Sequence, residues 1–264
     1  MGVKGRALQA ATVCLAILAC TPLQSAPPPV KTGPDVIIGI PLGLTGNLSN
    51  ESAMAKQGYD LWLDWVNEHG LTVQGVRHRV RIQYADDTSK PDVTAQLAEQ
   101  MITQNGASFL LGPYSAANTA AAAAVAERHH VPLISANGSA RSIFAKGYRY
   151  VFGVQTPADR NLQVLFDLVA TANPKPTTVA VLAADDSFSQ EVAKGAIDYA
   201  QAKGLQIVYS QKYPNGSTNL YNLVNEVKAK NPDIVINSGH LLEAIAMNKA
   251  AMDLRLNAKM FAYS

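Results

Sequence analysis

Composition places this chain among folded α/β proteins and excludes nucleic acid as a partner. It has 264 residues, of which 48% are hydrophobic and 16% are charged, enough apolar side chains for one large core or two modest ones. Its formal charge of +2 is accounted for by Lys4 and Arg6, in a segment that we expect to be removed, so the remaining chain is balanced. Without a run of Lys or Arg there is no concentrated basic face of the kind that nucleic acids require.

The N-terminus has the organisation of an export signal. An apolar stretch follows Lys4 and Arg6 and ends at Leu18, and it is too short to span a bilayer permanently. Both cysteines, Cys14 and Cys20, lie in this segment or directly after it. The chain that follows contains no cysteine and therefore can form no internal disulfide.

Cys20 fits a second processing pattern. Ile17-Leu18-Ala19-Cys20 resembles the lipobox of bacterial lipoproteins, in which the cysteine is diacylated and becomes the new N-terminus. This predicts a signal peptide over residues 1–20, lipidation of Cys20 and a proline-rich tether over residues 21–34. The alternative is a non-lipidated signal that is cleaved farther on, near Ala26, with Cys20 discarded.

From residue 35 onward, short β-branched runs alternate with amphipathic stretches, a pattern that predicts βα units and a mainly parallel sheet. The first series is predicted to have strands at residues 36–40, 80–84, 109–111, 131–134 and 150–152, and helices from about residue 50, at 92–103, at 115–128 and near 143.

The helix that begins near Asn50 carries apolar residues at helical spacing. We expect the face that they form to pack against the sheet as core. These residues are Met54, Gly58, Leu61, Trp62 and Trp65.

A second series of comparable length begins beyond residue 159, which predicts two lobes with a crossing near residues 155–159. The first lobe is expected to cover residues 35–156 and the second residues 157–264. The strands of the second series are predicted at residues 179–182, 207–209 and 234–236, and its helices at 187–203, 217–230 and 241–254.

The motifs that define common enzyme classes are missing from the sequence. The glycines after the first strand do not form G-x-G-x-x-G, and neither a phosphate-binding loop, nor H-E-x-x-H, nor G-x-S-x-G occurs. His129 and His130 are adjacent, so on a helix they point about 100° apart and make a poor metal site. We therefore expect neither catalysis nor a cofactor.

Polar loops of small residues follow strand after strand at the carboxyl ends of the predicted first sheet. Ligands of open α/β sheets bind at that edge, where loops and helix N-termini converge. The start of the helix near Ser115 suits a carboxylate, because the first turn of a helix has unpaired N–H groups and a positive dipole end. The three loops that stand out are residues 45–52, 112–118 and 135–141.

Six short segments of the sequence together form a specific pattern, which is given by their order and spacing along the chain. They are Ile38 to Gly46, Asn67-Glu68-His69-Gly70, Tyr84-Ala85-Asp86-Asp87, Leu111-Gly112-Pro113-Tyr114-Ser115, Val131 to Ser135 and Tyr150-Val151-Phe152. Together they resemble the type I periplasmic binding proteins, especially the leucine/isoleucine/valine-binding branch of the receptors of ABC importers. The resemblance covers the chain from about Asp35 to its end, and it implies two Rossmann-like α/β lobes, with mainly parallel sheets, joined by a hinge.

The resemblance also implies a ligand cleft between the lobes. Ser115 and Ala116 fall where the family binds the carboxylate of an amino acid, and Asp159 matches an acidic position near the ligand ammonium. The other implied contacts are backbone groups of Asn137, Gly138 and Ser139 and, across the cleft, the side chains of Phe188 and His240.

Glu51 departs from the family pattern, because relatives commonly carry an aromatic residue there, near the pocket for the ligand side chain. This favours a ligand with a polar or cationic group over a plain aliphatic one. The alternative is that Glu51 only complements the dipole of its helix.

The length of the chain is a second departure from the family pattern. Family members continue past Ser264, so we expect the second lobe to be truncated and to expose apolar sheet.

The resemblance implies binding without chemistry. We expect the extracytoplasmic substrate-binding component of an ABC importer, which captures an amino acid of the branched-chain type or a related polar or amide ligand. Its partners would be ABC permease subunits and, through the lipid anchor, the membrane, and its location the periplasm or cell envelope. The alternative is a ligand-sensing module of a regulatory system, since the same fold serves both purposes.

Overall fold

The computed structural model describes residues 31–264, so the predicted signal peptide, Cys20 and most of the tether lie outside the described residues. Two series of alternating strands and helices form this part of the chain, as the sequence predicts. The first series consists of β1 (Lys31–Thr32), β2 (Val36–Leu42), α1 (Ser49–His69), β3 (Leu71–Val73), β4 (Val76–His78), β5 (Val80–Asp86), α2 (Pro91–Thr103), β6 (Phe109–Leu111), α3 (Ala116–His129), β7 (Leu133–Ser135), α4 (Arg141–Phe144) and β8 (Val151–Gly153).

The second series begins with one turn of 3₁₀ helix at Ala158–Arg160. Every predicted strand and helix is present in the two series, with bounds shifted by a few residues. The elements that the sequence did not predict are β1, β3 and β4 in the first series and, in the second, the 3₁₀ turn, the helix Gln163–Val169 and the strand Met260–Tyr263. The second series continues with α5 (Gln163–Val169), β9 (Thr178–Ala184), α6 (Ser187–Ala202), β10 (Gln206–Tyr213), α7 (Tyr221–Lys230), β11 (Ile234–Ser238), α8 (Leu241–Asp253) and β12 (Met260–Tyr263).

Two parallel sheets organise the two series. The first has the strand order β5-β2-β6-β7-β8 and the second the order β10-β9-β11-β12, and all their neighbouring strands pair in parallel. A third, small sheet has the order β1-β4-β3. In it β3 and β4 form an antiparallel hairpin, which turns at Gln74 and Gly75 with φ of 50° and 78°, the positive values that suit a two-residue hairpin turn.

The central strands of the second sheet are apolar along their length because both of their faces are covered. β11 is buried throughout, and β9 is buried from Val179 to its end. Such continuous apolar runs are typical of parallel strands with helices on both faces. Phe188, at the start of α6, packs against the cores of both lobes.

The predicted core face of α1 is wrong. Met54, Leu61, Trp62 and Trp65 are between 39% and 72% exposed, and no contact within 4 Å would meet a side chain at Gly58. At about 100° per residue, the residues of α1 that are buried lie on a face rotated by roughly a quarter turn from the predicted one. Helical spacing alone could not choose between the two faces, and the inward face includes polar side chains whose partners lie far along the chain. These buried residues are Glu51, Ser52, Tyr59 and Val66.

Asp233 ties the beginnings of β9, β11 and β12 together. Its carboxylate accepts hydrogen bonds from the Thr177 amide at 2.6 Å and the Thr178 amide at 3.2 Å, and it forms a 2.8 Å ion pair with Lys259. Lys259 and the Thr177 amide hold the pKa of Asp233 well below its usual range. The Asp233 carboxylate therefore holds together the amino ends of three neighbouring strands of the second sheet.

The sequence predicts an exposed apolar sheet in the second lobe, and the structure has exposed apolar side chains in both lobes. Phe152 on the edge strand β8 is 49% exposed, and Val154 directly after it is 67% exposed and lines a groove of about 470 Å³ together with Trp62 of α1 and residues of the first sheet. In the second lobe, Ile245 and Met252 on α8 are 56% and 77% exposed. Both lobes thus carry apolar surface.

Candidate ligand-binding cleft

A cavity of about 390 Å³ lies between the carboxyl ends of the strands of the two sheets. The structure brings together most of the residues that the sequence singled out, although they come from four separate loops. Those that line the cavity are Ser115, Ala116, Asn137, Ser139, Phe188 and His240.

The first wall of the cavity is the start of α3. Ser115 is its N-cap residue and makes no capping hydrogen bond with its side chain, so the first amides of a 14-residue helix have no partner from that hydroxyl. The loop before it is held in place from within the helix, where Asn118 Nδ2 donates to the Tyr114 carbonyl and Thr119 Oγ1 donates to the Pro113 carbonyl, both at 3.0 Å. The arrangement presents helix-start N–H groups to an anion.

The second wall is the loop after β7. Asn137 Oδ1 accepts a 2.5 Å hydrogen bond from the Tyr59 hydroxyl, whose pKa burial raises to about 12. Gly138 does not line the cavity. It shapes the loop instead, because its amide and carbonyl both bond to Ser135 Oγ, and a Cβ at residue 138 would lie 2.3 Å from Thr119 Oγ1. Asn137 and Ser139 on either side are thereby held toward the cavity.

The third wall belongs to the second lobe, where Phe188 and His240 stack with ring centroids 5.9 Å apart. Asp186, the N-cap of α6, accepts a 3.0 Å bond from the Ser189 amide and lies 3.5 Å from His240 Nε2. Burial raises the pKa of Asp186, but the hydrogen bond and charge of His240 outweigh it, so the pKa lies below its usual value. Asp186 is therefore ionised and is held by His240 and α6.

Glu51 does not line the cavity. It lies in the first turn of α1, as the dipole alternative requires, and its carboxylate also has a partner in the second lobe. Glu51 is only 8% exposed, and its Oε1 accepts a 2.9 Å hydrogen bond from the amide of Leu241, the first residue of α8. Its other oxygen, Oε2, is buried and has no hydrogen-bond partner among the described residues. A carboxylate of the first lobe thus binds the start of a helix of the second lobe.

Asp159 also lies outside the wall of the cavity. Its carboxylate forms bidentate hydrogen bonds with the guanidinium of Arg141, at 2.9 to 3.0 Å. A direct contact between Asp159 and a ligand ammonium stays a prediction, because the carboxylate is already engaged by a cation.

Sequence reasoning missed four residues of the wall. Tyr114 belongs to a loop that the sequence did identify, where it directly precedes the predicted contact Ser115. The other three residues follow β8, in the segment where the chain crosses between the lobes. Their position in a crossing segment was the signal that could have found them. These three are Gln155, Thr156 and Asn161.

The described part of the chain has neither a cluster of metal ligands nor a helix that could span a membrane. Between residues 31 and 264, no group of three or more His, Cys, Asp or Glu side chains is arranged to hold a metal ion. Over the same residues, none of the helices combines the length and hydropathy that crossing a membrane requires.

Two parallel sheets, flanked by helices, whose loops and helix starts surround a shared cavity define a two-lobed α/β protein with an interlobe cleft. The sequence profile of one family, described as periplasmic binding protein, matches residues 35–264. The chain belongs to that family.

The chain is similar to curated proteins in sequence and to solved structures in fold. The Leu/Ile/Val-binding protein homolog 8 of Brucella abortus is 24% identical over 219 residues, which cover 80% of this chain and 53% of the relative. The branched-chain amino acid transporter substrate binding protein LivJ of Streptococcus pneumoniae, solved with isoleucine, superposes with a TM-score of 0.76 at 22% identity, over 86% of this chain and 64% of that one. A solute binding protein of an ABC transporter from Rhodopseudomonas palustris, solved with 3,4-dihydroxybenzoic acid, superposes with a TM-score of 0.76 at 19% identity, over 86% and 61%. The chain thus spans about half the length of the curated relatives it matches.

Proposed function

We propose that this chain is the ligand-capturing part of an extracytoplasmic solute-binding protein that serves an ABC importer. The observation that carries the proposal is the interlobe cavity of about 390 Å³, whose wall combines the start of α3 with side chains from both lobes. A concave site of this size suits a ligand about as large as an amino acid. Because the ligand would touch both lobes, closure of the lobes would signal occupancy to the permease subunits.

The ligand would enter with its carboxylate against the first amides of α3, at Ser115 and Ala116. The unpaired N–H groups and the helix dipole both favour a negative charge there. An amino acid of the branched-chain type, or a related polar or amide ligand, is the class that the Leu/Ile/Val-binding relatives suggest. Its ammonium would require Asp159 to exchange Arg141 for the ligand.

A small aromatic acid is a second candidate ligand. Phe188, His240 and Tyr114 place three rings on the wall of the cavity, and flat rings pack well against one another. The relative from Rhodopseudomonas palustris, which was solved with a dihydroxybenzoic acid, supports the same choice.

Calorimetric titration with a panel of branched-chain amino acids, amino-acid amides and hydroxybenzoates tests the proposal. We expect one member to bind with a single site. The carboxamide analogue of that member, which lacks the negative charge, should bind about tenfold or more weakly, because a hydrogen bond to a charged group contributes about 1.5–3 kcal/mol. If no member of the panel binds, the proposed function is wrong.

We further propose export to the periplasm or cell envelope, with Cys20 lipidated. In cells that express the protein, Cys20→Ser should move it from the membrane fraction to the soluble extracytoplasmic fraction. Cys14→Ser is the matched control and should leave the protein in the membrane fraction. An unchanged distribution of the Cys20→Ser variant would support the alternative of a signal cleaved near Ala26.

A further inference from the structure

A buried chain of three polar side chains, joined by one hydrogen bond and one longer contact between a carboxylate and an imidazole, ends at the wall of the cavity. The side chain of His240 is only 4% exposed; its Nε2 lies 3.5 Å from Asp186 Oδ2, and its Nδ1 lies 3.1 Å from the Tyr114 hydroxyl. Tyr114 belongs to the first lobe, whereas Asp186 and His240 belong to the second. The hydroxyl of Tyr114 has no other hydrogen-bond partner in the part of the chain that the structure describes.

The surroundings of His240 favour its protonated form. The charged groups that face it are Glu51 from α1, Asp186 from the start of α6 and Glu243 from α8, and Tyr114 is the remaining titratable neighbour. Burial lowers the pKa of His240, but the hydrogen bond and charge of Asp186, together with the two glutamates, outweigh it, so the pKa lies above the usual value of 6.5. Burial raises the pKa of Tyr114 far above neutrality, so its hydroxyl keeps its proton.

The direction of the hydrogen bond between His240 and Tyr114 depends on the charge of His240. A carboxylate can only accept, so the proton on Nε2 is held toward Asp186 in both charge states. When His240 is neutral, Nδ1 has no proton and must accept one from the Tyr114 hydroxyl. When His240 is charged, Nδ1–H donates to the Tyr114 oxygen, and the hydroxyl proton is free to turn into the cavity.

We propose that the Tyr114 hydroxyl contacts the ligand, and that the charge of His240 decides whether it does so as a donor or as an acceptor. The inference rests on the proposed function and narrows its ligand class. With His240 charged, the cleft selects a small carboxylic acid whose far end carries a hydrogen-bond acceptor, such as a carbonyl oxygen. The carboxylate binds at the start of α3, and the acceptor binds Tyr114.

Two matched pairs of probes test this by titration calorimetry from about pH 6 to about pH 9, a range that spans the titration of a histidine whose pKa is raised. In each pair, one acid carries a far-end oxygen that only accepts and the other lacks it: 4-acetylbenzoate against 4-isopropylbenzoate, and methionine sulfoxide against methionine. We expect the acceptor-bearing member of at least one pair to bind about tenfold more tightly at the low end of this range. The preference should disappear as the pH rises through the raised pKa of His240.

Two variants separate a ligand contact from a contact that only holds the lobes together. Tyr114→Phe should abolish the preference at every pH, and His240→Gln should make any remaining preference independent of pH. Tyr209→Phe is the control, because it removes a hydroxyl that bonds to Glu226 away from the cleft, and it should behave as the wild type.

The possible results lead to different conclusions. If Tyr114→Phe weakens both members of a pair equally, Tyr114 acts only through closure and the inference is overturned. If the wild type binds branched-chain amino acids but shows no preference within either pair, the inference is overturned and the proposed function stands. If the wild type binds neither these acids nor any member of the earlier panel, the proposed function itself fails.

Discussion

Glu51→Ala removes a hydrogen bond that joins the two lobes. Glu51 Oε1 on α1 accepts from the Leu241 amide at 2.9 Å, and no other residue in the described part of the chain bonds to that amide. When the lobes separate, water hydrates both groups. The substitution therefore changes the free energy of the closed form while leaving the open form nearly unchanged.

The expected size of the effect follows from the exposure of the amide. Leaving a buried donor without a partner costs about 1–3 kcal/mol. Leu241 is 37% exposed, so water can replace part of the lost interaction, and we expect the lower end of that range. About 1 kcal/mol corresponds to a roughly fivefold rise in the dissociation constant of a ligand that binds the closed form. Glu51→Gln keeps an amide oxygen as acceptor and should stay within about twofold of the wild type.

The assay is titration calorimetry with whichever ligand the panel identifies, combined with small-angle scattering of the ligand-free protein and of the complex. Glu68→Ala is the control, because Glu68 is an exposed glutamate near the other end of the same helix. Thermal unfolding checks that each variant is folded. A dissociation constant and a scattering profile that are both unchanged in Glu51→Ala would refute the view that this hydrogen bond holds the lobes together.

Three further predictions concern stability and are measured by chemical unfolding. Asp233→Ala should lower the free energy of unfolding by about 1–3 kcal/mol, since it removes several charged hydrogen bonds. Because the pKa of Asp233 is lowered, the stability that this carboxylate contributes is present above the usual aspartate pKa and is lost as the pH falls through the lowered pKa. Gly195→Ala should destabilise or unfold the protein, because the new Cβ would lie 2.0 Å from a backbone oxygen of the 3₁₀ turn. Gly58→Ala is the matched control: its Cβ would meet nothing within 4 Å, so it should stabilise the protein by up to about 1 kcal/mol. Because its pKa is raised, protonated His240 contributes stability that is fully present below pH 6.5 and is lost as the pH rises through the raised pKa. His240→Gln should therefore flatten the dependence of the free energy of unfolding on pH in that window. An equal slope in the variant and the wild type would contradict the pairing of His240 with Asp186.

The sequence predicts the parallel sheets well because their strands are apolar runs with a fixed order. β9 and β11 are buried along nearly their whole length, so composition alone identifies them. The hairpin of β3 and β4 was missed because each strand has only three residues and little alternation. The predicted core face of α1 was wrong because tryptophan and leucine were taken as core, whereas the packing of Tyr59 buries a face about a quarter turn away.

The site was predictable only in part, and the reason is the distance along the chain between its partners. The loops at the carboxyl ends of strands could be located, because parallel strands bring these ends to one edge. The contact between Tyr114 and His240 joins residues 126 positions apart, and that between Glu51 and Leu241 joins residues 190 apart. No local pattern encodes either pairing, so the roles of Tyr114 and Glu51 became visible only in three dimensions.

The contacts that cross between the lobes near the cleft are mostly polar, and this bears on how a clamp of this kind can work. Besides the two contacts of Glu51 and Tyr114, Glu191 of α6 accepts hydrogen bonds from the amides of Arg141 and Ser142 at the start of α4, at 2.5 and 3.0 Å. Water can satisfy each of these groups when the lobes part, so each contributes only about 1 kcal/mol net to the closed form. The four hydrogen bonds, with the packing of Phe188 against both cores, therefore favour the closed form by a few kcal/mol. The binding free energy of a small ligand is of the same order or larger, so a ligand that touches both lobes can shift the balance between the open and closed forms.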